Sequence, residues 1–334
     1  MGKKKNAKYV IGVDLGGTKI YAAVIDRNDK MRGSARKKTK AENGFESTVK
    51  RVVSCIENAV EDAGITLDQI VGIGVGSPGP LDLKEGKIIE TPNLKWKDAP
   101  LKARLESALG KPVKIDNDGN VGILGEYACG AAMGAKHVIG LFVGTGVGGG
   151  VIVNGEVLHG FNENAGELGH IILDPNGPKC GCGNNGCLEA FSSRLSIERE
   201  IRTAKENGIK TAVFDGVADK NELIRSKRLA EFFHADDPAV KMAIEKSATY
   251  IGFAVASLLN IFNPQIVVIG GGVVEALGES YVSIVRNVAE ANVFAIAKRN
   301  VRIVPAQLKD DSAVLGAAVL GWQAAQEKKK KNDA

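Results

Sequence analysis

Apolar positions in the first third of the chain come in short runs separated by glycine and aspartate. Lys8 to Val13 is one such run, ended by Asp14, and Ile20 to Ile25 is a second. Only DLGGTK lies between them, so the spacing predicts a hairpin with a glycine-rich tip. From Ser47 to Ala63 the period changes. Val49, Val52, Val53, Ile56 and Val60 fall at helical spacing, and Gly64 stops the helix. IVGIGVGSPGPLD then reads as a buried strand running into a Pro/Gly loop, and Leu101 to Leu109 as a helix. KPVKIDND is a strand reaching Asp118, and Gly119 to Ala132 a helix of small residues.

The second half begins the pattern again. HVIGLFVGTGVGGGVIVNGEVL is strand, glycine-rich turn and strand. Asp237 is suited to cap, and Pro238 to open, a long helix through Ile244, Ile251, Val255 and Leu258 that ends before Pro264. QIVVIGGGV and VRIVPAQL are further strands, and Ser312 to Lys328 is a last amphipathic helix. The repeated hairpin predicts two similar α/β halves facing each other across a cleft.

Composition agrees with that plan. A chain of 334 residues is too long for one ordinary core and suits two domains. Its 44% hydrophobic and 25% charged residues are those of a soluble globular protein. No apolar run approaches the ~18 residues of a membrane span. The opening MGKKKNAKYV has no apolar stretch behind its charges, so it does not read as a secretory signal. The net charge of +5 comes from Lys3 to Lys5 and Lys328 to Lys331, which read as solvated, disordered tails. Without them and Asp333 the remaining charges nearly balance, which argues against nucleic acid as a partner. Five cysteines, three of them within eight residues, suit a metal better than disulfides and predict a cytoplasmic protein.

Candidate chemistry gathers at the glycine turns. DLGGTK (14–19) and GTGVGGG (144–150) offer closely spaced backbone amides, with hydroxyls from Thr18 and Thr145. Gly144, Gly146 and Gly149 satisfy G-x-G-x-x-G, but a strand follows them, not the helix a dinucleotide site needs. Residues 12–19 approach a P-loop, yet Thr18 precedes Lys19 in reversed order. Phosphate cradles or plain hairpin turns remain. Asp14 ends a buried strand, which suits either a Mg²⁺ partner through water or a carboxylate bonding loop amides. In IDNDGN (115–120) Asn117 and Asp118 stand at a strand-to-helix junction. Both types cap helices, and Asp118 also suits the carboxylate that takes an alcohol's proton in phosphoryl transfer.

GELGHIILDPNGPKCGCGNNGCLEAF (166–191) is the most specific stretch. His170, Cys180, Cys182 and Cys187 are spaced H-x9-C-x-C-x4-C, a Cys3His set that favours tetrahedral Zn²⁺ and leaves no open position for water. Such a site is structural. An unmetallated loop or a disulfide is the alternative. Glu167 and Glu189 flank the ligands, so zinc would fix two carboxylates suited to a polyhydroxylated substrate, while His170 has a second ring nitrogen to offer.

Taken together, over roughly residues 8 to 325, these motifs resemble the ROK sugar kinases (repressor, open reading frame, kinase), and among them the bacterial glucokinases. The resemblance implies the actin-like ATPase fold, two ribonuclease-H-like domains with a central cleft. Residues 1–118, completed by a helix at about 312–328, would form the smaller domain, and 119–311 the larger one with the zinc loop. It implies ATP and Mg²⁺ at Asp14, Gly16, Gly17, Thr18, Lys19, Thr145, Gly146, Val147, Gly148 and Gly149, with Gly271 and Gly272 of IGGGV on the adenosine side. It implies Asp118 as catalytic base and Asn117, Glu167, His170 and Glu189 as glucose contacts. GSPGP and TPNL add Gly79 and Asn93 to the sugar pocket. His170, Cys180, Cys182 and Cys187 would hold zinc, and the chain would be a homodimer or higher homo-oligomer.

Three other readings compete. A sugar-responsive repressor of this family would carry a DNA-binding helix-turn-helix ahead of residue 14 and a basic body, and neither is expected here. A kinase for mannose, fructose, N-acetylmannosamine or N-acetylglucosamine would share these motifs, as would one using polyphosphate. Residues 207–236 read as surface helices and turns without chemistry. His137, His159 and His234 show no partner pattern, and Cys55 and Cys129 read as packing residues.

Overall fold

The computed structural model describes residues 8–91, 94, 96–216 and 223–333. The chain forms two compact units. One holds the described residues up to Gly134, the segment Val157–Gly166 and the described residues from Asp310 onward; the other holds Ala135–Glu156 and Glu167–Lys309.

In the first unit β1 (Tyr9–Leu15), β2 (Lys19–Ile25) and β3 (Met31–Lys38) form a meander, and α1 (Phe45–Asp62) leads to β4 (Ile70–Ser77). Three short strands follow, β5 (Leu81–Asp82), β6 (Lys87–Thr91) and β7 (Trp96–Ala99), then α2 (Leu101–Leu109), β8 (Val113–Asn117) and α3 (Asp118–Cys129). The main sheet has the order β3-β2-β1-β4-β8, with β4 parallel to both β1 and β8. Its register sets Asp14 opposite Gly76 and Ser77 opposite Asn117, so the carboxyl ends of β1, β4 and β8 form one edge. In open α/β sheets that edge is where ligands bind.

The second unit repeats this order. β9 (Val138–Val143), β10 (Val147–Val153) and β11 (Glu156–Val157) precede α4 (Leu188–Ser192), α5 (Arg194–Glu206), α6 (Ser226–His234) and α7 (Pro238–Phe262). β12 (Ile266–Gly270), α8 (Gly272–Leu277), α9 (Glu279–Asn292) and β13 (Arg302–Pro305) complete it. The sheet runs β11-β10-β9-β12-β13, with β9 and β10 antiparallel and β12 parallel to both neighbours. The Asp237 carboxylate accepts the Val240 N–H at 3.1 Å and Pro238 opens α7, as a cap and first-turn proline should.

The last helix, α10 (Ser312–Asp333), returns to the first unit and lies on its sheet. Gly12 and Gly74 make the approach possible. A Cβ on Gly12 would fall 1.9 Å from the Val314 carbonyl oxygen, and one on Gly74 1.8 Å from that of Ala317. Strand and helix touch backbone to backbone. The Ser312 hydroxyl donates to the buried Glu126 carboxylate at 2.8 Å, tying α10 to α3. Because α3 packs along α10, it stays with the first unit, and the break in contacts falls after Gly134, not Asp118.

Other expectations need correcting. Lys328 to Lys331 are not a disordered tail: they continue α10, where cations oppose the negative end of the helix dipole. Lys3 to Lys5 lie outside the described residues. α1 begins at Phe45, two residues early, because Gly44 adopts φ 83° as its cap. The β5–β6–β7 sheet has no counterpart in the sequence pattern, since strands of two to five residues are too short to show a period. Among the described residues no helix is long and apolar enough to cross a membrane.

Candidate functional site

Asp14 occupies the penultimate position of β1, paired in register with Tyr21. Its carboxyl is pushed up to about 6, mainly by burial, with Lys19 opposing and Asp118 and Asp310 reinforcing the shift. Such a carboxylate favours a cation beside it. The turn after it is closed by Gly16 N–H to Lys19 C=O at 2.9 Å and by the Thr39 hydroxyl donating to Gly16 C=O at 2.7 Å. Thr18 is exposed at the tip, and Gly17 is half-buried beside it. Lys19 reaches Asp310 at 3.0 Å, an exposed pair.

Asn117 and Asp118 stand where β8 becomes α3. Asn117 has extended dihedrals, and its side-chain oxygen accepts the Gly119 N–H at 2.8 Å, a helix N-cap. Gly79 lies against it: a Cβ there would sit 3.3 Å from the Asn117 amide nitrogen. Asp118 is open to solvent at its own surface while protein surrounds it at longer range. That surrounding protein raises its pKa, against the Gly119 amide, which lowers it. The caps the sequence suggests and a poised carboxylate therefore coexist: Asn117 caps, and Asp118 is held raised beside Asp14.

In the second unit β9 and β10 meet at Val143 and Val147, with Gly144, Thr145 and Gly146 in the turn and Gly148 and Gly149 on β10. Arg194 braces the turn, its N–H donating to Gly144 C=O at 2.9 Å and its guanidinium to the Thr145 hydroxyl at 3.1 Å. Glu189, in the first turn of α4, accepts the Val147 N–H at 3.0 Å. A Cβ on Gly146 would stand 2.3 Å from the same carboxylate oxygen. Gly271 has φ 87°, and a Cβ there would lie 2.6 Å from the Val143 nitrogen, so IGGGV turns beside the Gly144–Gly149 strand ends. Gly272 opens α8 next to the Ser226 hydroxyl.

His170, Cys180, Cys182 and Cys187 converge, with their ligand atoms all within 4.8 Å of one another. The Cys182 and Cys187 sulfurs are 3.7 Å apart, and His170 Nδ1 is 3.8 Å from the Cys180 sulfur. A tetrahedral site with Zn–S bonds of about 2.3 Å has sulfur–sulfur edges of about 3.8 Å. The spacing fits a metal ion and is far from a disulfide bond of about 2.0 Å. With Nδ1 turned to the sulfurs, the Nε2 atom of His170 remains for another partner. The Cys180 thiol also donates to Glu189 at 3.6 Å, so the cluster and that carboxylate are neighbours. Glu167 is exposed at the start of the turn leading to His170, its C=O accepting the His170 N–H at 3.0 Å. Asn93 lies outside the described residues.

Two features escaped the sequence. His159, read as partnerless, has Nε2 2.7 Å from the carboxylate of Asp116, which is buried immediately before Asn117. Asn164 accepts the Leu81 N–H at 2.9 Å and donates to the Leu81 C=O at 3.0 Å, fastening the 157–166 segment beside the GSPGP turn. Both partners are distant in sequence, and no local pattern announces either.

The ROK family model matches residues 10–324. The chain is 34% identical over 316 residues to the glucokinase of Halalkalibacterium halodurans, covering 94% of each. It is 31% identical over 316 residues to the xylose repressor of Caldicellulosiruptor bescii, covering 95% of this chain and 78% of the repressor. Among solved structures, a ROK family glucokinase from Streptomyces griseus in complex with glucose and AMPPNP matches with a TM-score of 0.84 at 31% identity, over 94% of this chain and 99% of that one.

Proposed function

The chain belongs to the ROK family of sugar kinases, with its actin-like ATPase fold, and from that premise we propose that it is a glucokinase transferring the γ-phosphate of ATP to the 6-hydroxyl of glucose. The observation that carries this reading is the strand-to-helix turn that holds Asp118 as a raised, accessible carboxylate beside a capping Asn117. Asp118 takes the proton of the 6-hydroxyl as that oxygen attacks the γ-phosphorus in line, and the ADP oxygen leaves with the bonding pair. Asn117, Glu167, His170, Glu189 and Asn93 receive the sugar hydroxyls, and Gly79 leaves room for the Asn117 amide. Gly16, Gly17, Thr18, Lys19 and the Thr145–Gly149 stretch offer their N–H, hydroxyl and ammonium donors to the phosphates, with Gly271 and Gly272 on the adenosine side. Asp14 would hold a Mg²⁺ ion, which when bound would neutralise charge on the phosphates. His170, Cys180, Cys182 and Cys187 would hold Zn²⁺, which would fix the loop leading into α4, the helix of Glu189.

ADP release with MgATP against glucose, mannose, fructose, N-acetylglucosamine and N-acetylmannosamine tests the reading. Turnover strongest with glucose is expected; turnover only with an N-acetyl sugar would keep the chemistry and overturn the substrate. The likeness to a xylose repressor favours one other reading, a sugar-responsive regulator. Calorimetric sugar binding with no ADP release would carry that one instead.

Gly146→Ala is a sharper probe of the pocket. The added methyl meets only the end of the flexible Glu189 side chain, so the fold should hold while the carboxylate is displaced. We expect an unchanged melting temperature and about a tenfold higher KM for glucose, the scale of one lost hydrogen bond to a charged group. An unchanged KM would remove Glu189 from the sugar site.

A further inference from the structure

We propose that His159 is a positioning residue for phosphoryl transfer, acting through Asp116 to set the turn that aims Asn117 and Asp118. The proposal rests on the kinase reading above. Asp116 is 3% exposed, and its oxygens are fully engaged. One accepts the Asn117 N–H at 2.7 Å and the Asn120 side-chain amide at 2.9 Å, and the other faces His159 Nε2 at 2.7 Å. The first two bonds straddle Asp118, one on the last residue of β8 and one in the first turn of α3. Among the described residues the Asn120 side-chain oxygen is buried without a partner, so the bond to Asp116 is what orients its amide. A tilt of the Asp116 carboxylate therefore moves both flanks of the base together.

His159 holds the second oxygen of that carboxylate, the one the turn itself does not engage. A buried carboxylate without a partner is costly, and His159 supplies a donor and, when protonated, an opposite charge. The hydrogen bond to Asp116 raises the imidazole pKa, with Asp116 and Glu163 adding to the shift and burial and Lys114 opposing it. The same histidine anchors a second element. Its C=O accepts the Ala165 N–H at 2.9 Å, and Glu163 and Asn164 in that loop accept from Leu83 and Leu81. The 157–166 segment is thus pinned to the base turn at one end and to β5 at the other, just before Glu167. Losing His159 should disturb the sugar side of the reaction and leave the nucleotide side alone.

Three variants test this in the ADP assay. His159→Ala removes donor and charge, and should lower kcat/KM for glucose on the order of 10²-fold with the KM for ATP unchanged. His159→Gln keeps an amide donor without the charge. It should lose part of the activity and flatten the alkaline limb that the parent shows as His159 deprotonates with rising pH. Asp116→Asn combined with His159→Gln restores an uncharged pair and should recover activity relative to His159→Ala. An active parent, with a His159→Gln pH profile and sugar KM like its own, sinks the proposal. So does a fall in kcat matched by the loss of folded protein, with every KM and the pH profile intact, which would make His159 merely structural. A silent parent instead sinks the kinase reading itself, and the inference with it.

Discussion

Asp118→Asn should lower kcat by about 10²–10⁴ while glucose and ATP still bind. The substitution is nearly isosteric, and an asparagine oxygen accepts the Gly119 N–H as Asp118 does at 2.8 Å, so the start of α3 survives. What disappears is the group proposed to take the hydroxyl proton. The sign of the stability change is a second, independent check. Surrounding protein raises the Asp118 pKa, so the folded state holds that proton more tightly than the unfolded chain does. Above the ordinary carboxylate range the ionised group therefore costs stability, and stability falls as pH rises through the raised value. Asparagine removes the cost. The variant should melt no lower than the parent at neutral pH, and higher if the charge is the main burden. In the parent, kcat should fall on acidification as Asp118 protonates, a limb absent from the residual activity of the variant. Full turnover by Asp118→Asn, measured as ADP release, would remove the assignment.

Cys187→Ala should abolish metal binding at the proposed zinc site and weaken sugar binding. Cys187 is fully buried and is the residue from which α4, the helix of Glu189, departs. The proposed zinc site is closed, so the ion does no chemistry on the substrate, yet binding energies for structural zinc run to about 10 kcal/mol or more, which becomes folding energy for the loop. Without it, Glu189 loses its frame and His170 its fixed ring. Elemental analysis should find about one zinc per chain in the parent and none in Cys187→Ala. The KM for glucose should rise by at least an order of magnitude in the variant, in line with the 10- to 100-fold cost of disturbing groups around a metal. Chelation of the parent should have the same effect and expose Cys180, Cys182 and Cys187 to thiol reagents. A zinc-free protein with the parent's KM would show that the loop needs no frame.

The parts legible in the sequence are those whose cause is local. The two glycine hairpins need only close residues, and the cap at Asp237–Pro238 is written within one turn. The convergence of His170, Cys180, Cys182 and Cys187 is legible because they lie within 18 residues and their chemistry admits few other uses. Asn117 and Asp118 are half legible: their place at a strand-to-helix junction is local, whereas only the register sets that junction beside the ends of β1 and β4. His159 was missed because Asp116 is 43 residues away and one histidine between ordinary neighbours carries no period. The helical state of Lys328 to Lys331 was missed because charge runs resemble tails, whereas here the preceding helix extends into them.

The backbone contact between α10 and the first sheet has a consequence for how the protein is made. The seam at Gly12 and Gly74 is filled by Val314 and Ala317, residues that leave the ribosome more than 200 positions after the strands they cover. Domains ordinarily fold in the order in which they emerge. Here the strands synthesised first must wait for the helix that covers their sheet, while nearly all of the second unit is made in between. The first domain begun is the last to be finished, and the helix that finishes it also steadies α3, whose first residue is Asp118. Covering of the first sheet and support of the turn at Asp118 thus await the same helix.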